Sequence, residues 1–98
     1  MSTYSAYFYK EENGYSVIFP DLNYLATQGD TIEEAEIMAI ECLASFLYWL
    51  YVEGKEYPVE SINAVSPEYL ARELEFDYIE CFVKKISVDV EKYAKNHL

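Results

Sequence analysis

The sequence predicts an α+β domain of βββαβ order, a small antiparallel or mixed sheet packed in two layers on one long helix. Three observations carry that expectation. Residues 4–28 alternate in side-chain character on either side of an Asn13-Gly14 dipeptide. Residues 31–52 run without glycine or proline and stop short of Gly54. Residues 76–88 return to alternation. A period of two marks strands, whereas a long unbroken stretch between a capping residue and a glycine marks a helix.

The first strand is read from Tyr4 to Tyr9, with Tyr4, Ala6 and Phe8 on one face and Ser5, Tyr7 and Tyr9 on the other. Glu11-Glu12-Asn13-Gly14 then supplies a hairpin, because Asn and Gly both accept positive φ. Tyr15 to Phe19 is the second strand, ended by Pro20, which cannot donate to a ladder. After a turn at Asp21-Leu22-Asn23, Tyr24 to Gln28 is a short third strand broken by Gly29. The helix begins at Asp30 or Thr31, where Thr31 and Glu34 have capping-box spacing, and runs to Val52, with Gly54 as its stop. About 22 residues at helical rise span roughly 33 Å, against a radius of gyration of about 13 Å for a compact chain of this size. Ile32, Ala35, Ala39, Leu43 and Phe46 form one apolar stripe, but from Cys42 to Val52 apolar and aromatic side chains ring the helix. One small sheet covers one side only, so a second surface is needed for the rest. Ser66-Pro67 reads as an N-cap and first helical position of a short helix ending near Leu74. Phe76 to Val88 reads as a strand whose parity changes, with Ile79, Cys81 and Val83 out of phase with Ile86 and Val88. A β-bulge near Lys84-Lys85 would reconcile them. Asp89 caps a last turn through Lys95.

Composition bounds the function. The chain has 98 residues, 52% hydrophobic and 17% aromatic, with a net charge of −11. That is a globular chain with one core, residues 1–98 forming a single domain. Residues 1–80 hold sixteen acids and three bases, whereas residues 81–98 hold two acids and four bases. Such a field repels phosphate, so no direct nucleic-acid binding is expected, and it favours a basic protein partner. Cys42 and Cys81 read as small buried thiols in a reducing compartment. With no signal core at the N-terminus and no charge-free apolar run of membrane length, a cytoplasmic domain with no membrane association is expected.

Chemistry-bearing constellations are sparse. His97 is the only histidine and supports neither a catalytic triad nor a zinc set. Gly14, Gly29 and Gly54 stand alone, so there is no phosphate-cradling loop. No catalytic residue, metal, cofactor or small-molecule substrate is expected. Capping and dipole effects account for Asp30, Glu33 and Glu34. The tyrosines lack the interleaved basic groove that base stacking needs.

The string from Glu12 to Leu22 (ENGYSVIFPDL) and that from Ala26 to Ala35 (ATQGDTIEEA) resemble the HicB antitoxin family, whose pattern is roughly G-Y-x-V-x-F-P-D-L-P-G-C-x-T-x-G-D-T-x-E-E-A. Cys81-Phe82-Val83 and Val88 to Tyr93 resemble its fourth strand and following turn. Asn23-Tyr24-Leu25 departs from the family's P-G-C, and the family's C-terminal DNA-binding segment is expected to be absent from this chain. The resemblance implies a partial, catalytically degenerate ribonuclease-H-like domain. Its implied role is non-enzymatic, to bind and block a small basic HicA-type toxin that cleaves mRNA. Two alternatives accompany it: a residual metal-dependent nuclease, if Asp21 and Asp30 converge with Glu80, or a free-standing dimeric domain with a non-toxin partner.

Two surfaces follow. Tyr9, Glu11, Glu12, Asp21 and Tyr24 are the candidate toxin contacts, at the hairpin and at the loop after the second strand. Leu47, Tyr48, Trp49 and Tyr51 are the candidate self-association surface of a homodimer, because they cannot all face one sheet.

Overall fold

A computed structural model describes residues 1–61 and 64–96; His97, which the sequence reading set aside, lies outside them. The alternating first half forms β1 (Ser2–Glu11), β2 (Gly14–Phe19) and β3 (Leu25–Gly29), with a single 3-10 turn at Pro20–Leu22. The long helix α1 is Ile32–Val52, followed by α2 (Pro67–Glu73), β4 (Glu80–Val88) and α3 (Val90–Asn96). The sheet order is β3-β2-β1-β4, antiparallel throughout.

Local chemistry sets most boundaries. The backbone N–H of Glu34 donates to Thr31 Oγ1 at 3.1 Å, which caps α1. Gly54 takes φ +69° just after its last turn, the left-handed exit glycine allows at no steric cost. Ser66 Oγ accepts from the N–H of Tyr69 at 3.1 Å, and Asp89 Oδ1 accepts from that of Lys92 at 3.1 Å, so both short helices start where side-chain caps were expected.

The main core lies between α1 and one face of the sheet. Ala35, Ala39, Leu43, Leu47 and Leu50 pack on Tyr4, Ala6, Phe8, Val17, Phe19, Ile86 and Val88. Phe8 stacks on Phe82 with centroids 4.9 Å apart. Full burial of a leucine such as Leu43 or Leu47 contributes about 1.5–3 kcal/mol. By length and composition α1 could cross a membrane, but this stripe is the one the sheet covers, as in a core helix. Leu47 is therefore not part of any self-association surface: it is fully buried on the sheet.

A second, smaller core occupies the other face, where Tyr7, Tyr9 and Ile18 meet Leu70 and Ala71 of α2. This two-sided burial overturns the expected bulge. Pairing runs unbroken from Ser2↔Val88 to Lys10↔Glu80. Phe82, Ile86 and Val88 face α1 while Cys81 packs against the second core, so both parities carry apolar residues without any extra residue in the ladder. The strand also begins later than expected. Phe76 and Tyr78 precede it and lie edge-on to the Tyr9 ring, at 4.8 Å and 5.5 Å. The two thiols are half-buried rather than buried, and both are free.

After the 3-10 turn, Asn23 and Tyr24 take φ +57° and +61° in succession. A tyrosine there crowds its Cβ against the backbone. Tyr24→Gly should raise stability by about 1 kcal/mol. Urea unfolding would read the gain, and a loss would mean that the ring's contacts outweigh the strain.

Candidate protein-docking surfaces

The five expected toxin contacts do not share one surface. Tyr9 is fully buried in the second core, ringed by Phe76, Tyr78 and α2, and its hydroxyl donates to the Pro67 carbonyl at 2.7 Å. Burial pushes its hydroxyl pKa far up. It is a structural tyrosine, and its face of the sheet is closed by a segment more than fifty positions further along the chain. Asp21 is also engaged: its Oδ2 accepts from the N–H of Ser61 at 2.8 Å. Glu11 is half-buried and accepts from the Ser16 hydroxyl. Glu12 and Tyr24 remain exposed, Tyr24 by 54%.

Tyr9 belongs to a wider pattern. The Tyr4 hydroxyl donates to the Pro58 carbonyl at 2.6 Å, the Ser5 hydroxyl to Glu60 Oε1 at 3.0 Å and the Tyr7 hydroxyl to the Val65 carbonyl. Three β1 side chains, from Tyr4, Ser5 and Tyr7, thus tie down the irregular chain between α1 and α2. Burial raises the pKa of Tyr4 and Tyr7 as well, keeping these donors protonated. The abundance of tyrosine in the first strand has this structural use: a ring that fills a core and a hydroxyl that satisfies loop carbonyls.

At the hairpin end, Glu11, Glu12, Asn13, Gly14, Gln28, Gly29 and Asp30 line an open groove of about 280 Å³. The start of α1 stands against it, because Gly29 lets the helix backbone approach. A Cβ built on Gly29 would lie 2.5 Å from Ala35 N and 2.8 Å from Ala35 Cα. One end of the molecule therefore gathers Glu11, Glu12, Asp30, Glu33 and Glu34. Asp21, Asp30 and Glu80 do not form a cation site: Asp21 is held by Ser61, Glu80 pairs with Lys10 at 3.9 Å, and no group of three or more His, Cys, Asp or Glu suited to a metal occurs among the described residues.

The far half of α1 exposes aromatic surface. Trp49 and Tyr51 are 48% and 59% exposed, and Lys55 Nζ stands 4.7 Å from the Trp49 ring centroid. Tyr48 turns toward α3, edge-on to Tyr93 at 5.7 Å. Between them a groove of about 730 Å³ is lined by Tyr48, Tyr51, Val52, Tyr57, Val90 and Ala94 among others. On α1, two exposed residues escaped the sequence reading: Ile37 and Ile40. Their signal was available, since Ile37 and Ile40 lie off the stripe that runs through Ala35, Ala39 and Leu43.

Known proteins share the fold. A family profile described as HicB_like antitoxin of bacterial toxin-antitoxin system matches residues 3–75. Antitoxin HicB 1 of Photorhabdus laumondii subsp. laumondii is 41% identical over 49 residues, covering 50% of this chain and 32% of that protein. Antitoxin HicB 2 of the same organism is 36% identical over 58 residues, or 59% of this chain and 42% of that protein, so the chain spans less than half the length of either relative it matches. Among solved structures, a chain of a toxin–antitoxin complex from Streptococcus pneumoniae superposes with a TM-score of 0.77 at 33% identity, over 94% of this chain and 71% of that one. The N-terminal domain of the Burkholderia pseudomallei antitoxin HicB shares the fold, with a TM-score of 0.60 at 22% identity, over 90% of this chain and 99% of that domain. With the profile spanning both the hairpin and the whole of α1, this chain belongs to the HicB-like antitoxin family.

Proposed function

We propose that this domain is a non-enzymatic antitoxin module that binds and blocks a small basic HicA-type toxin in the cytoplasm. The observation that carries the reading is the likeness over 94% of the chain, at 33% identity, to a chain of a toxin–antitoxin complex. The charge of −11 supports it physically, because an acidic body attracts a basic partner over a Debye length of about 8 Å at physiological salt. A nuclease is not favoured, since Asp21 accepts from the Ser61 N–H and Glu80 pairs with Lys10.

Of the expected toxin contacts, Glu12 and Tyr24 are exposed and Glu11 is half-buried, and the three serve in this reading as the steering end. Reversing Glu11 and Glu12 to Lys should slow association with the toxin and flatten its dependence on ionic strength, with little change in melting temperature. Stopped-flow association rates across a salt series provide the test, and equal rates and slopes for both proteins would remove the hairpin tip from the encounter.

Self-association is assigned to Trp49, Tyr51 and Val52, with Tyr48 at the border of the α3 groove and no charged side chain from Cys42 to Val52. Trp49→Glu should turn a dimer into a monomer in light scattering at micromolar concentration. A wild-type monomer, or a variant that stays dimeric, would contradict this part of the reading.

A further inference from the structure

The outward face of α1 differs between its two halves. The far half is aromatic and uncharged, whereas the near half sets two isoleucines among acids. Ile37 is 57% exposed and Ile40 is 46% exposed. Glu33 and Glu34 lie one turn before them and Glu41 one turn after Ile37, so the five side chains share one patch. The helix contains four glutamates and no Lys or Arg. Glu36, on the flank toward the sheet, is neutralised by Lys84 at 2.6 Å. Among the described residues no ion pair reaches Glu33, Glu34 or Glu41.

A single exposed isoleucine on a surface needs no explanation. A pair on adjacent turns, ringed by three unneutralised carboxylates, is the composition of an interface centre with a charged rim. The rim also selects the occupant. A second copy docking here would set like charges against each other, and an anionic lipid surface would be repelled. A basic protein is attracted by the rim and can cover the isoleucines.

We propose that this patch on the first turns of α1 is the close-contact surface for the basic toxin, with the neighbouring hairpin end steering it in. The inference rests on the antitoxin reading and adds the face that makes the fit. Neither isoleucine belongs to either core, so replacing them leaves the packing of α1 on the sheet in place.

The test compares the wild-type domain, Ile37→Ser/Ile40→Ser and Glu33→Gln/Glu34→Gln/Glu41→Gln, each titrated with a purified, catalytically inactivated HicA-type toxin. The double serine variant should bind about tenfold or more weakly, mostly through faster dissociation, at an unchanged melting temperature. The triple glutamine variant should associate more slowly and lose salt dependence. Hydrogen exchange on the wild-type complex should show protection across residues 33–41. Wild-type affinity in the serine variant, or protection confined to β4 or α2, overturns the assignment of the face while the antitoxin reading stands. A serine variant whose change is in its own oligomeric state would make a second copy the occupant and overturn it too. A wild-type domain that does not bind the toxin overturns the reading itself, and the occupant with it.

Discussion

Gly29→Ala should destabilise the domain by about 3 kcal/mol, a fall of roughly 15 °C in melting temperature for a chain of this length. The added methyl group would lie 2.5 Å from Ala35 N, 2.8 Å from Ala35 Cα and 2.9 Å from Glu34 C. All three are backbone atoms of the first turns of α1, so no side chain can swing away to make room. Relief requires the helix to lift from the end of β3, which would unseat Ala35 and Ala39 from the main core. Circular dichroism melts of the wild type and variant measure the effect directly. A loss below about 1 kcal/mol would mean that the helix start is loosely held, and the shared acidic end of hairpin and helix would lose its rigidity with it.

Tyr9→Ala should cost about 3–5 kcal/mol, the range for removing a large buried ring. The residue is fully buried, touches Phe76 and Tyr78 edge-on, and satisfies the Pro67 carbonyl. Tyr9→Phe keeps the ring and deletes only the hydroxyl, so it should cost about 1–2 kcal/mol and free the start of α2. Denaturant unfolding separates the two contributions, and hydrogen exchange at residues 64–73 reports the second. A surface contact residue would behave in the opposite way, with a normal fold and weakened binding, so a stable Tyr9→Ala variant would return Tyr9 to the docking face.

What the sequence made legible is the chemistry that acts over a few residues. Thr31, Gly54, Ser66-Pro67 and Asp89 each announce a cap or a stop, and each sits where its local chemistry puts it. Asn13-Gly14 marks the hairpin one residue late: the turn residues are Glu12 and Asn13, Asn13 keeps a negative φ, and Gly14 already pairs with Glu11. Alternation in β1 also places Tyr7 and Tyr9 on the face away from Phe8. It cannot say what covers that face, because the cover is α2, brought there by a connection whose carbonyls are bonded by the same tyrosines. The apparent parity fault in β4 has the same origin: alternation identifies the buried face only when one face is buried. Asp21 looked like a free acid because its partner, the N–H of Ser61, lies forty positions away. Leu47 sits among aromatic neighbours in sequence, yet it falls on the Leu43–Leu50 side of the helix and packs on the sheet. Glycine at position 29 reads as a strand breaker, whereas its close approach to Ala35 exists only once β3 and α1 have packed.

The most direct measurement is cleavage of RNA by an active HicA-type toxin titrated with this purified domain. Binding that masks the toxin's catalytic surface should abolish cleavage at a fixed molar ratio, with inhibition weakening as ionic strength rises. Cleavage that persists under a large excess of folded domain, at low salt where attraction is strongest, would contradict the assignment of this chain as a toxin-blocking module.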